Sequence, residues 1–160
     1  MKPTTDQLQL IVYDFDGVMT DNRVIVFQDG TEAIIANRAD GLGIEWLRKL
    51  EIPQIIISTE TNPVVRARGK KLRLEVIDSC SDKREALISY CRKNDIDLEK
   101  VVFIGNDLND FEVMSIVGYP VAPADAHPKI RNLAAYVTSA KGGEGVIKEF
   151  AERIMAGYND

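Results

Sequence analysis

The sequence predicts an α/β fold in which a mostly parallel sheet is covered by helices on both faces. The main observation is that short apolar segments rich in β-branched residues alternate along the 160-residue chain with segments of helical periodicity. A second observation is that several of the apolar segments run directly into clusters of polar residues. In a parallel sheet such clusters meet beyond the carboxyl ends of the strands, where ligands bind.

The first predicted elements are a buried strand and a hairpin. Residues 9–14 are short, apolar and β-branched, as expected of a strand covered on both faces. RVIVF and EAIIA, at residues 23–27 and 32–36, flank an Asp-Gly pair. Because such a pair between two β-rich runs favours a tight turn, we expect a β-hairpin insert at about residues 22–36.

A helix, a strand and a second helix are predicted next. Residues 40–52 carry Ile and Leu at helical spacing, and Asp40 is placed to cap that helix. QIIIS at 54–58 is another apolar strand, and it ends in polar residues. Pro63 suits the first turn of a helix that runs through VVRARGKKL.

The rest of the chain repeats this alternation. The predicted strands are short apolar segments at residues 74–77, 101–105, 119–123 and 135–138. The predicted helices lie at residues 83–94, 110–117 and 145–155. No repeat, linker or low-complexity segment interrupts the pattern, so we expect residues 1–160 to form a single domain.

The bulk composition argues against several classes of protein. A net charge of −5 and a pI near 5.0 are unlike a general nucleic-acid binder, which needs a basic surface. Cys80 and Cys91 lack metal-ligand spacing and accompany one histidine, so neither a zinc site nor a disulfide framework is indicated. The amino-terminal residues lack the apolar core of a signal peptide, and no apolar run approaches membrane-spanning length. We therefore expect a cytoplasmic protein with no membrane partner.

Polar side chains follow three of the predicted strands. Asp14 and Asp16 end the first strand, Ser58 and Thr59 end the second, and NDLND follows the strand at 101–105. We expect these three clusters to lie at one edge of the sheet.

The two aspartates pose an electrostatic problem. Residues two apart in an extended chain project to the same side, so the carboxylates of Asp14 and Asp16 repel each other. A divalent cation between them removes the conflict, and hard oxygen ligands select magnesium or a similar ion. Gly17 lets the chain turn sharply afterwards. The alternative is that a D-x-D-G sequence simply caps a turn.

The stretch DFDGVMTD resembles the first motif of the haloacid dehalogenase-like phosphotransferase superfamily. The resemblance implies a Rossmann-like three-layer fold. It also implies that Asp14 is the nucleophile that attacks phosphorus, and that Asp16 protonates the leaving oxygen and later acts as the base for hydrolysis. In the family pattern the backbone carbonyl of the second aspartate binds the metal. Covalent catalysis of this kind divides one difficult displacement into two easier ones.

Three later motifs of the family occur in the expected order. By resemblance, Ser58 donates its hydroxyl to a phosphoryl oxygen, and Lys83 offsets charge on the phosphoryl group and on the nucleophile. GNDLND matches the fourth, metal-binding motif, except that Asn106 stands where the family usually has an aspartate. An amide oxygen still coordinates Mg²⁺ but adds no charge, which Asp107 or Asp110 could supply directly or through water. The alternatives are a helix cap for the serine, a surface lysine, and a turn with a helix cap for NDLND.

A narrower resemblance covers most of the chain. ADGLGIEWLRK, STETNPVVRARGKKL and the carboxyl-terminal ADAHP, YVT and GG-x-G sequences are similar to the 3-deoxy-octulosonate 8-phosphate phosphatases and their sialic-acid relatives. These relatives include nonulosonate 9-phosphate phosphatases and the phosphatase-like domain of acylneuraminate cytidylyltransferases. The resemblance implies that no separate cap domain is present. It also implies that the hairpin projects, and that four subunits associate so that neighbours help to cover each active site.

Several residues are candidates for substrate selection. Thr20 belongs to the first motif and is a candidate for contact with substrate. Thr59 and Glu60 follow the second-motif strand, where they could meet the hydroxyls of a sugar acid. Arg66 could meet a substrate carboxylate, although a solvated helix face is the alternative for that basic run. Arg38 precedes the aspartate of its motif by two residues, whereas the octulosonate enzymes typically have R-D-G.

Two functions from different classes are compatible with these features. The first is a magnesium-dependent phosphatase that forms an aspartyl-phosphate and acts on a nonulosonate or octulosonate type of sugar-acid phosphate, as a homotetramer. The second is a non-catalytic or weakly active assembly module of an acylneuraminate cytidylyltransferase system, for which Asn106 is the motivating observation.

Overall fold

The computed structural model describes residues 8–158. The expectation that the amino terminus is not a signal peptide concerns the first residues of the chain, which lie outside this range. Six parallel strands form the central sheet in the order β5-β4-β1-β6-β7-β8. They are β1 (Leu10–Tyr13), β4 (Gln54–Ile57), β5 (Glu75–Ile77), β6 (Val101–Ile104), β7 (Tyr119–Ala122) and β8 (Tyr136–Val137). The predicted α/β fold with a parallel sheet is confirmed.

Helices cover both faces of the sheet. They are α1 (Arg38–Lys49), α2 (Val64–Leu72), α3 (Lys83–Asn94), α4 (Phe111–Met114), α5 (Pro128–Leu133) and α6 (Val146–Tyr158). Two 3₁₀ turns lie at Leu98–Lys100 and Leu108–Asp110. The helix expected at 110–117 is therefore shorter and follows a 3₁₀ turn, and α5 was not predicted. None of the helices in residues 8–158 is long and apolar enough to cross a membrane.

The alternation of side chains along β1 builds two apolar cores. Ile11 and Tyr13 pack with α1, α2 and α6 on one face. Leu10 and Val12 pack with α3, α4 and α5 on the other. All four side chains are fully buried, which explains why this strand is continuously apolar instead of alternating.

The predicted hairpin is present, with strands shorter than expected. Its strands β2 (Ile25–Val26) and β3 (Glu32–Ala33) pair antiparallel. A bridge between Thr20 and Ala36 closes its base beside the end of β1. The hairpin exposes an apolar surface, which we call the hairpin patch: Val24, Ile25, Val26, Phe27 and Ile35, each between 49% and 64% exposed.

Asp40 does not cap its own helix, which corrects the expectation for the helix at 40–52. Asn37 is the N-cap of α1, and its side chain accepts a hydrogen bond from the Ala39 N–H. Asp40 lies in the first turn of α1, 1% exposed, and its Oδ1 accepts from the backbone N–H groups of Ile147 and Lys148. It therefore satisfies the amino-terminal end of α6, an element 107 residues away in the chain.

Candidate active site

A cavity of about 400 Å³ opens beyond the carboxyl ends of β1, β4 and β6. Its lining is mostly polar: Asp14, Asp16, Asn22, Ser58, Thr59, Asn106, Asp107, Leu108 and Asn109. Residues from three strand ends, distant in sequence, thus meet at one edge of the sheet, as the strand-end pattern predicts.

Asp14 is fixed by the sheet and by its neighbours. Its backbone N–H donates to the Ile104 carbonyl of β6 at 2.9 Å. The chain then turns at Gly17, where φ is +80°, and a Cβ at this position would lie 1.9 Å from Nδ2 of Asn106. Glycine is therefore required here for two reasons, the left-handed backbone and the close approach of the amide. The residues from Asp14 to Asn22 are called the β1 loop below.

Lys83, Asp14 and Asp110 form a buried charged triad. Lys83 Nζ lies 2.7 Å from Asp14 Oδ1 and 2.6 Å from Asp110 Oδ1, and all three side chains are at most 6% exposed. Burial alone would lower the pKa of Lys83, but the charges of the two carboxylates and their hydrogen bonds outweigh it and raise that pKa. Lys83 opens α3 directly after its N-cap Asp82, so the helix start brings the ammonium to the two carboxylates behind the cavity. Asp14 is thereby held with one oxygen on the lysine.

Burial raises the pKa of Asp14 to about 7, with a further increase from the charge of Asp110 and an opposing effect of Lys83. One ammonium faces two carboxylates, so the triad carries net negative charge when all three groups are ionised. A site of this kind favours a counter-charge beside Asp14.

Asp110 is placed differently from the expectation that it lines the metal site. It is fully buried, and its Oδ2 accepts from the backbone N–H groups of Asn106 and Asp107 at 2.8 and 3.3 Å. Its other oxygen bonds Lys83, so both oxygens are occupied within the protein. Asp110 is not among the residues that line the cavity. It instead shapes the loop that presents Asn106.

Thr20 organises the β1 loop and does not line the cavity. Its fully buried hydroxyl donates to Asp16 Oδ1 at 3.3 Å and accepts from the N–H groups of Gly17 and Asn22 at 3.2 and 3.1 Å. The expected contact with substrate is therefore replaced by a contact with Asp16. Burial first, and then the charge of Glu60, raise the pKa of Asp16, which favours its protonated form.

The end of β4 contributes two hydroxyls to the cavity. Ser58 lines the cavity although it is only 2% exposed. Its Oγ accepts a hydrogen bond from the Glu60 N–H at 3.1 Å, so the hydroxyl proton is available to a ligand. Thr59 lines the same wall. Glu60 is directed to its own loop, where Oε1 accepts from the N–H groups of Thr61 and Asn62.

The two candidate arginines lie away from this cavity. Arg66 is exposed and bonds Asp78. Arg38 lines a second cavity of about 320 Å³ between α1 and α2, together with Arg68 and Lys71. Neither arginine lines the cavity that contains Asp14, so within one subunit the structure does not bring them to the candidate active site.

Sequence reasoning missed Asn22 as a site residue. Asn22 adopts a left-handed backbone with φ of 66° at the start of the hairpin, and it lines the cavity beside the two aspartates. The available signal was the Asp-Asn pair after the first motif, because asparagine is one of the few residues that tolerates this conformation.

The donor set suits a hard cation. Asp14, Asp16, Asn106 and Asp107 all line the cavity and offer carboxylate and amide oxygens, the ligands that Mg²⁺ prefers. Gly17 leaves room for the Asn106 amide against the β1 loop. Among residues 8–158, no group of three or more His, Cys, Asp and Glu side chains is arranged to hold a metal.

The model of the haloacid dehalogenase-like hydrolase family matches residues 49–150. The chain belongs to this family. The 3-deoxy-D-manno-octulosonate 8-phosphate phosphatase of Yersinia pestis is 35% identical over 149 residues, which is 92% of this chain and 80% of that protein. The protein is accordingly a phosphatase of the haloacid dehalogenase-like family, similar to the octulosonate 8-phosphate phosphatases.

Two solved structures share the fold over nearly the whole chain. One is the 3-deoxy-D-manno-octulosonate 8-phosphate phosphatase of Moraxella catarrhalis in complex with magnesium, phosphate and KDO. It has a TM-score of 0.92 and 29% identity, and the match covers 97% of this chain and 90% of that one. The other, from Streptomyces avermitilis, is described as a HAD family hydrolase; its TM-score is 0.94 and its identity 43%, with 97% and 89% coverage.

Proposed function

We propose that this protein is a Mg²⁺-dependent phosphatase that hydrolyses a sugar-acid phosphate through an aspartyl-phosphate on Asp14. The observation that supports it most is that Asp14 and Asp16 share one cavity with Ser58 and Asn106, while Lys83 holds Asp14 from the protein side. These are the residue types that phosphoryl transfer through a carboxylate nucleophile requires.

The residues divide the reaction between them. A carboxylate oxygen of Asp14 forms a bond to phosphorus while the bond to the leaving oxygen breaks, and Asp16 gives its proton to that oxygen. Asp16 then takes a proton from water as the water attacks the phosphorus of the aspartyl-phosphate, which releases inorganic phosphate and restores Asp14. Ser58 donates a hydrogen bond to a phosphoryl oxygen, and Lys83 reduces the buried negative charge that opposes the incoming phosphate.

We assign the cation to Asp14, the Asp16 backbone carbonyl and Asn106, and to Asp107, which lines the same cavity, a contact through water. When bound, Mg²⁺ neutralises charge on the transferring phosphoryl group and orients it. Asp110, which both bonds Lys83 and shapes the loop, is omitted from this assignment.

The substrate class follows from the relatives and from the cavity wall. The relatives from Yersinia pestis and Moraxella catarrhalis are octulosonate 8-phosphate phosphatases. The cavity outside the two aspartates is lined by Asn22, Thr59 and Asn109, whose amides and hydroxyl pair well with sugar hydroxyls. An octulosonate 8-phosphate or nonulosonate 9-phosphate type of substrate fits this wall.

We also propose a cytoplasmic homotetramer in which the hairpin patch packs between subunits. The hairpin carries five large apolar side chains, in β2 and in the residues beside β2 and β3, and each is about half exposed to water.

Phosphate release with Mg²⁺ from a panel of sugar-acid phosphates tests the proposal. We expect the wild type to turn over at least one of them, and Asp14→Asn, which keeps the shape of the side chain, to lose turnover by several orders of magnitude. The control is Asp95→Asn, at an exposed left-handed position at the end of α3 that suits asparagine. Inertness of the wild type across the panel would instead support the non-catalytic assembly module, the function that Asn106 favours.

A further inference from the structure

A glycine-containing loop packs against the back of the β1 loop. We call residues 139–145, between β8 and α6, the glycine loop. The Gly143 N–H donates to the Val18 carbonyl at 3.0 Å. A Cβ built on Gly142 would lie 2.2 Å from the Gly17 carbonyl oxygen and 3.0 Å from that of Thr20, so the two backbones are in direct contact.

The glycine loop is itself fixed from two sides. Asn37 Nδ2 donates to the Gly143 carbonyl at 3.0 Å, and the Gly142 N–H donates to Asp125 Oδ1 at 2.9 Å. Asn37 caps α1, and Asp125 lies in the loop after β7. Because these partners belong to separate elements on opposite sides, the glycine loop acts as a fixed support for the β1 loop.

The glycine loop is connected by contacts to the Asp16 side chain and not to the Asp14 side chain. Thr20, whose carbonyl lies against Gly142, bonds Asp16 Oδ1 through its hydroxyl. Asp14 is held separately, by its backbone bond to β6 and by Lys83. A displacement at the glycine loop would therefore act on residues 17–21 of the β1 loop and on the Asp16 side chain bonded to Thr20, whereas Asp14 keeps its bonds to β6 and to Lys83.

We propose that Gly142 and Gly143 are positioning residues that set the β1 loop, and through Thr20 the Asp16 side chain, for proton transfer to the leaving oxygen. The inference rests on the proposed function, because it assigns Asp16 as the acid of that reaction. Glycine is needed at both positions. Gly142 has no room for a Cβ, and at Gly143 the φ is +75° and an added Cβ would lie 2.6 Å from the Asp21 nitrogen.

The experiment compares Gly142→Ala with Gly118→Ala. Both glycines have ordinary φ, and both added Cβ atoms would meet a backbone carbonyl oxygen, at 2.2 Å from Gly17 and 1.9 Å from Glu99. Gly118 lies just before β7, at the amino-terminal edge of the sheet and away from the cavity, so Gly118→Ala controls for destabilisation alone. An added Cβ at position 142 would lie 2.2 Å from the Gly17 carbonyl oxygen, whereas ordinary contact begins at 3.4 Å. Residues 17–20 of the β1 loop therefore have to shift by roughly 1 Å.

The readout is kcat/KM on two substrates that differ in leaving group. A sugar phosphate leaves as an alkoxide that needs a proton, whereas p-nitrophenyl phosphate releases a phenolate that does not. The assay uses saturating Mg²⁺, because Gly17 also packs against the Asn106 amide of the proposed metal site. For Gly142→Ala we then expect roughly a 10- to 100-fold loss on the sugar phosphate and less than about a threefold loss on p-nitrophenyl phosphate. Amide hydrogen exchange of residues 17–22 should rise in the same variant only. Gly118→Ala should show neither the split between substrates nor the faster exchange.

A second variant covers the case in which Gly142→Ala does not fold. Asn37→Ser keeps a good N-cap for α1 but removes the amide that holds Gly143, and it should show the same substrate split with a smaller amplitude. Equal losses on both substrates, or the same split in Gly118→Ala, would overturn the positioning role. A wild type inert on both substrates would overturn the proposed function, and this inference with it.

Discussion

The pH dependence of stability offers a direct test of how α1 and α6 are joined. Asp40 is buried between these helices, where Arg68 of α2 and Tyr13 of β1 also face it. Burial raises its pKa from 3.8 to about 6, against the opposing effect of the N–H groups of Lys148 and Ile147 and of the Arg68 charge. The folded state therefore holds the Asp40 proton more tightly than the unfolded chain does. Stability from this group is present below about pH 4 and is lost as the pH rises through 6.

The size of the effect follows from the shift. The pKa difference between about 6 and 3.8 is roughly 2 units, and each unit corresponds to about 1.4 kcal/mol. Between pH 4 and pH 7.5, ionisation of Asp40 should thus lower the free energy of unfolding by about 3 kcal/mol. Asp40→Asn keeps the oxygen that accepts from α6 and cannot ionise, so this loss should disappear in the variant.

Urea unfolding across this pH range measures the free energy of unfolding of the wild type and of the Asp40→Asn variant, and the difference between the two values isolates the contribution of Asp40. We expect the wild type to lose about 3 kcal/mol relative to the variant. Asp29→Asn is the control: hydrogen bonds from Thr31 lower the pKa of the exposed Asp29, so its stabilisation is lost only as the pH falls below about 3.8. If the unfolding free energy of the wild type minus that of the Asp40→Asn variant stays constant, or increases with pH, the reasoning that burial outweighs the helix amides is refuted.

Three further predictions concern the site and the assembly. Lys83→Met should lower the free energy of unfolding in urea by about 3–5 kcal/mol because it leaves two buried carboxylates unpaired. Adding Asp110→Asn should recover part of that loss, and a loss under about 1 kcal/mol would contradict the buried triad. Asn106→Asp should tighten Mg²⁺ binding in calorimetry by roughly tenfold, and an unchanged affinity would remove Asn106 from the metal site. Val26→Asp should shift the protein towards monomer in sedimentation velocity, whereas a persistent tetramer would reject the hairpin patch as an interface.

The fold was predictable because its strands are short, apolar and separated by helices of clear periodicity. Helix α5 was missed since its six residues include one buried side chain, Ile130, and carry no apolar repeat. The hairpin was placed correctly by its Asp-Gly turn, but the lengths of its strands depend on pairing that the sequence does not encode locally. The cap at Asp40 was misassigned because its partners lie in α6, far along the chain.

The sequence predicted which residues lie at the carboxyl ends of the strands, and therefore near the candidate site, but not the direction in which each side chain faces. Asp14, Asp16, Ser58 and Asn106 meet in one cavity because each follows a parallel strand, and strand ends share an edge. Which way a given side chain then faces depends on its partners. The Thr20 hydroxyl faces its own loop because two backbone N–H groups there need an acceptor. The spacing of the motif does not indicate this orientation.

The orientation of Asp110 has a consequence for the metal site. Asn106 removes one negative charge from the cavity wall, and two nearby aspartates were available to replace it. Asp110 does not replace that charge in the cavity wall, because its oxygens already bond Lys83 and the loop N–H groups. Asp107 remains, exposed and in the cavity wall, but its Oδ1 accepts from the Leu108 N–H at 2.7 Å. The charge facing a cation therefore depends mainly on Asp14, so Mg²⁺ affinity should respond to a carboxylate at position 106 more strongly than to removal of the Asp107 carboxylate.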